Sequence, residues 1–136
     1  MTTRALTRKD FELLADFRYQ MRKFERFSEL AAKAEGLMPQ QYLLMLQIKG
    51  ARGRDWASVG ELADRLQIRP HAAVALVSRC EVQALVQRRP DPADRRLVRV
   101  HLTAEGERLL RRLAAVHRAE LKSLEGVFQV PRIDQD

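Results

Sequence analysis

The segment from Ser58 to Cys80 restricts this 136-residue chain most, because two short amphipathic stretches there repeat one pattern across a three-residue gap. In the first, Val59, Leu62, Ala63 and Leu66 recur at i, i+3, i+4 and i+7, the spacing of one helical face. Ser58 stands just before it and Glu61 three residues later, the pair that caps orphan backbone amides reciprocally at a helix start. Glu61, Asp64 and Arg65 are left on the outward side. In the second, Ala73, Leu76, Val77 and Cys80 repeat the spacing, and Pro70 opens it at a first-turn position that needs no N–H. Two helices with matched apolar faces, joined by residues 67–69, predict a helix-turn-helix. Helical hairpins with no nucleic-acid partner share that signature, so the flanking segments carry the decision.

Downstream of the second helix the pattern predicts a β-hairpin. Residues 85–89 and 97–102 are short runs with alternation, and in the second Val98, Val100 and Leu102 are expected to face in while Arg99 and His101 face out. Between them lies Pro90-Asp91-Pro92-Ala93-Asp94-Arg95-Arg96, a turn-forming charged tip. Upstream, Trp56 and Ala57 predict a very short strand after a polar connection at 50–55. A long amphipathic helix is expected over residues 10–34, with Phe11, Leu14, Phe17, Met21, Phe24 and Leu30 on its stripe, Asp10 as cap and Gly36 in the left-handed stop position. A second helix starts near Pro39, and its body, residues 42–48, is expected to be buried. Thr103 caps a last long helix over 104–126, with Leu109, Leu110, Leu113, Val116 and Leu121 on one side. Beyond Phe128 the tail, with Pro131, Asp134 and Asp136, is expected to fray. The chain as a whole, 1–136, reads as one mainly α domain with a small β-hairpin.

Charge narrows the function. The chain carries 25 Lys and Arg against 18 Asp and Glu, a net +7, which favours a polyanionic partner. Its apolar stretches fall far short of the roughly 20 residues that cross a bilayer, and residues 1–8 lack an apolar secretory segment, so a cytoplasmic chain with no membrane partner is expected. One cysteine excludes an internal disulfide, and His71, His101 and His117 lack ligand-like spacing, so no metal is expected. Without a glycine-rich phosphate loop, nucleophile elbow or HExxH pattern, neither catalysis nor a cofactor is expected.

The order helix, helix, helix-turn-helix, hairpin, helix resembles the MarR family of bacterial regulators. The run 58–66 is similar to the family's first motif helix; Leu85-Val86, Arg89, Asp91-Pro92, Asp94-Arg95-Arg96 and Leu102-Thr103 with Gly106 are similar to its wing and the next helix start. The resemblance covers about residues 11–127. It implies a winged helix-turn-helix over 39–102, dimerisation helices at 10–36 and 104–128, and a dimeric, double-stranded DNA-binding transcription regulator, expected to be a repressor. Three departures stand out. Ala84 occupies the place where the family usually has glycine, so the reading helix is expected to stop without a left-handed residue. Val74 and Ala75 stand where polar residues are usual. Only residues 129–136 remain where relatives carry a further helix.

Arg88, Arg89, Arg95, Arg96 and Arg99 in the hairpin are expected to neutralise phosphates. The resemblance implies that Arg96 enters the minor groove while Asp94 orients an arginine; a merely solvated hairpin is the alternative. On the motif itself Ser58, Arg69, Pro70, His71, Ala72, Val74, Ala75, Ser78 and Arg79 are the expected DNA-facing residues. His71 has an alternative as a helix-start residue, and Arg79 as a partner of Glu81 or Glu61. Small apolar groups favour thymine methyls, which predicts an A/T-rich palindrome bound by a homodimer. The resemblance also implies a small aromatic acid effector, for which Tyr19, Arg22 and Tyr42 are candidates, with Tyr42 alternatively in the core. Cys80, on an apolar face, is expected to be buried and unreactive. The rival reading is a protein-interaction module that keeps the fold but has lost specific DNA binding.

Overall fold

The structure, a computed structural model, describes residues 4–133. In chain order it comprises α1 (Arg8–Ala34), α2 (Pro39–Lys49), β1 (Trp56–Ser58), α3 (Val59–Leu66), α4 (Pro70–Val82), β2 (Val86–Pro90), β3 (Val98–Leu102) and α5 (Ala104–Ser123). The hairpin gains a third strand: β1 pairs antiparallel with β3, so the sheet order is β1-β3-β2.

α2 sits at the centre, touching α1, α3, α4, α5, β1 and β3. Its Leu44, Met45 and Ile48 are fully buried with Leu62 of α3, Val77 and Cys80 of α4, Val86 and Val100 of the sheet and Leu113 of α5. The expectation that residues 42–48 are uniformly buried is corrected at Leu43 and Leu46, which are exposed on the one sector of α2 that no neighbour covers. α3 and α4 bury the faces their spacing predicts, and α3 begins with the expected box: Ser58 Oγ accepts from the Glu61 N–H at 3.1 Å, and Glu61 accepts from the Ser58 N–H at 3.2 Å.

Four boundaries and orientations differ from expectation. α1 starts at Arg8, because Thr7 is the cap; Asp10 is the third helical residue, and its carboxylate reaches back to the Thr7 N–H at 2.9 Å. α5 ends at Ser123 rather than 126, and Gly126, at φ +79°, turns the chain so that Phe128 stacks on Phe17 with ring centroids 5.7 Å apart. Residues 129–133 continue without regular structure, while Asp134 and Asp136 lie outside the described residues. In β3 the alternation is offset: Val98 is exposed and His101 buried. Val98 pairs with Pro90 near the wing tip, beyond the reach of the core, whereas His101 lies in the central strand between Trp56 of β1 and Gln87 of β2. Finally, Ala84 adopts φ +59° despite its methyl group. The Leu85 N–H bonds the Cys80 carbonyl at 2.9 Å and the Ala84 N–H the Glu81 carbonyl at 3.0 Å, a paired termination that requires a left-handed residue whatever its identity. Gly36, at φ +76°, stops α1 as expected.

Candidate nucleic-acid interface

α4 and the β2–β3 wing form the two halves of the surface. Because the buried stripe of α4 takes Ala73, Leu76, Val77 and Cys80, the opposite side is presented outward: Arg69, Pro70, His71, Val74, Ala75 and Arg79 are exposed, with Ala72 and Ser78 half-buried at its edges. Arg79 pairs with neither Glu81 nor Glu61; its guanidinium meets the Met38 sulfur at 2.7 Å. Glu61 is held by Arg54, and Glu81 by Arg88.

At the wing tip Asp91 is buried and organises the turn, a role that was not assigned to it from the sequence. Its carboxylate accepts from the N–H groups of Asp94 and Ala93 at 2.8 and 2.9 Å and from Arg99 Nε at 2.6 Å, which holds its pKa below the usual carboxylate range. An aspartate before proline that accepts amides two and three residues on is a local turn signal legible in Asp91-Pro92. Asp94 in turn accepts from the Arg96 N–H at 3.0 Å and Nε at 3.3 Å, leaving the rest of that guanidinium in solvent. Arg89 and Arg95 are exposed beside it.

Three expected DNA-facing residues have partners within the fold. Arg99 is tied to Asp91 and lies over the Trp56 ring at 4.2 Å, with Arg54 over the same ring at 4.6 Å. Arg88 turns back onto α4, where it bonds Glu81, Ser78 and the Val74 carbonyl. Ser58 is only 7% exposed and spends its hydroxyl as the α3 cap. The pairing of Arg54 and Arg99 with Trp56, and of Glu81 with Arg88, was not legible in the sequence because the partners come from other elements.

The effector candidates divide between the surface and the core. Tyr19 and Arg22 are exposed on α1, Tyr19 with Lys23 over its ring at 5.2 Å. Tyr42 is buried against His117, their rings stacked at 4.5 Å, and burial raises its hydroxyl pKa. His117 is itself fixed by the Leu113 carbonyl at 2.7 Å and Ser28 Oγ at 2.9 Å. Cys80 is buried, which pushes its thiol pKa up. Among the described residues no cluster of His, Cys, Asp or Glu is arranged for a metal, and no helix is long and apolar enough to cross a membrane.

Comparison with known proteins finds a family likeness over most of the segment that carries these residues. The MarR family profile matches residues 35–97, which span α2 to the wing tip. YsmB, an uncharacterized HTH-type transcriptional regulator of Bacillus subtilis, is 34% identical over 67 residues, 49% of this chain and 46% of that protein, so the match spans about half of each. Among solved structures, AbsC, a MarR family transcriptional regulator from Streptomyces coelicolor, superposes with TM-score 0.77 at 23% identity, covering 89% of this chain and 81% of that one. A mutant of S. aureus MepR bound to an oligodeoxyribonucleotide gives TM-score 0.67 at 16% identity, covering 92% and 86%. At such identities the structural likeness is one of fold.

Proposed function

We propose that this chain is a MarR-type transcription regulator, a reading supported by the family profile over residues 35–97, and that it acts as a dimeric repressor that binds a palindromic duplex. The observation that carries the reading is a charge pattern: Arg69, Arg79, Arg89 and Arg95 on α4 and the wing make no ion pair among the described residues. Cations left unpaired on one helix and one finger suit a phosphate lattice, and each phosphate neutralised adds about 0.9 to the salt slope. Val74 and Ala75 offer methyl contacts to thymine, which supports an A/T-rich site. The uncovered stripes of α1 and α5 support a two-fold dimer, which would space its reading helices by one DNA turn, roughly 34 Å. The reading treats residues 1–136 as one unit and includes release by a small aromatic acid, with Tyr19 and Arg22 as its exposed ring and cation.

Titration of a fluorescent duplex at two salt concentrations tests it. Wild type is expected to bind with a steep salt dependence, Val74→Asp to fold normally and not bind, and Arg95→Gln/Arg96→Gln to lose up to about 2 from the slope. Normal binding by Val74→Asp removes α4 from the interface. Absence of binding by wild type at low salt favours the interaction-module reading, and DNA affinity unmoved by benzoate removes the effector.

A further inference from the structure

We propose that Arg88 is a specificity-positioning residue: it makes no phosphate contact but turns the Ser78 hydroxyl outward as a donor, so that Ser78 reads an acceptor on a base edge. The inference rests on the DNA-binding reading above and deepens it.

The geometry leaves Arg88 little freedom. Its backbone N–H donates to Glu81 Oε2 at 2.9 Å and its Nη1 to Glu81 Oε1 at 2.9 Å, so one carboxylate grips both the strand and the side chain. Its Nη2 then reaches Ser78 Oγ at 2.8 Å and the Val74 carbonyl at 3.0 Å. Because the cation is matched by Glu81 within the protein, it has little net charge to offer a phosphate. Glu81, held below its usual pKa by these Arg88 bonds, stays ionised across the working pH range.

Ser78 is constrained by elimination. A guanidinium has no acceptor, so in the Arg88–Ser78 bond the arginine donates and the hydroxyl oxygen accepts. A serine within a helix ordinarily turns its own proton onto the carbonyl four residues back, which here is Val74. That carbonyl already serves the helical ladder and takes Arg88 Nη2 as well. The hydroxyl proton is therefore left to the open side of α4, and the charged donor on its oxygen polarises it further. In the major groove such a donor suits O4 of thymine, N7 of a purine or O6 of guanine better than the amino groups of adenine and cytosine, which can reach only the one lone pair that Arg88 leaves on the hydroxyl oxygen. Ser78 thus adds a hydrogen-bond reader to a helix face otherwise made of methyl groups.

Selection from randomised duplexes, repeated with wild type, Ser78→Ala and Arg88→Met and completed by salt titration of the winners, tests the proposal. Both variants are expected to lose about fivefold discrimination at the same base pair, with the Arg88→Met salt slope equal to wild type. Arg88→Lys keeps the charge but lacks the planar fork, and is expected to behave like Arg88→Met; it also serves if Arg88→Met fails to fold. The proposal is overturned if an Arg88 variant keeps the wild-type preference while Ser78→Ala loses it, or if its slope falls by about 0.9, the mark of a phosphate contact. It is equally overturned if Ser78→Ala changes no base preference in a wild type that binds DNA. A wild type that binds no duplex removes the DNA-binding reading instead.

Discussion

Ala84 and Gly106 meet at one crossing of the chain, where α4 ends and α5 begins. Ala84 holds φ +59° because the termination of α4 demands it, and its carbonyl accepts from Thr103 Oγ1 at 2.6 Å. A left-handed non-glycine residue costs about 1 kcal/mol, so Ala84→Gly is expected to raise the melting temperature by roughly 4 °C; a lowered value in a thermal melt would show that no strain is stored there. Gly106 has the opposite sensitivity. A Cβ on it would lie 2.0 Å from the Leu85 carbonyl oxygen, which already accepts from the Thr103 N–H at 3.1 Å and cannot move alone. Gly106→Ala is expected to cost about 3 kcal/mol, read as a large drop in the denaturant midpoint. Both positions were visible as residues in the chain. Their strain was not, because a backbone angle is imposed by the segments it must join.

The α3 start and the wing both carry groups whose shifted pKa values make stability depend on pH. The Arg54 guanidinium, above all, holds the Glu61 carboxyl down to about 2, against burial that works the other way. A lowered carboxylate pKa stabilises the folded chain above the ordinary value near 4.5, and that contribution is lost as pH falls toward about 2. Wild type is therefore expected to lose thermal stability faster than Glu61→Gln between pH 5 and 3, and parallel curves would sever Glu61 from the acid limb. Glu61 is partly exposed, so the divergence should be modest and shrink with salt. His101 acts in the same direction at higher pH: burial and then the Arg89 charge lower its pKa, favouring the neutral ring in the fold, so stability falls as pH drops below 6.5. The wing hairpin was readable from its alternation and turn residues. The exposure of Val98 and the burial of His101 were not, since the first depends on how far the wing extends beyond the core and the second on β1 arriving beside β3.

At the level of the molecule, the single chain leaves Phe11, Leu14 and Leu30 of α1 and Val116 and Leu121 of α5 exposed. Apolar stripes of that extent on paired terminal helices account for the proposed dimer. Leu121→Asp is expected to shift sedimentation toward the monomer and to weaken binding to a full palindrome while sparing a half-site; unchanged sedimentation would place the dimer contact elsewhere. The order of elements, the caps at Ser58 and Thr103, the apolar faces of α3 and α4 and the position of the wing were all legible in the sequence, because each depends on neighbours within a few residues. The tertiary structure alone decided which arginines stay available. Arg95 and Arg96 remain in solvent, while Arg88 is drawn onto α4 and Arg99 onto Asp91 and Trp56, since pairing is settled by charges and rings brought together from distant segments. Tyr42 met the same fate against His117, from the far end of the chain. Local spacing determines elements, and only the assembled fold determines which of their side chains still face outward.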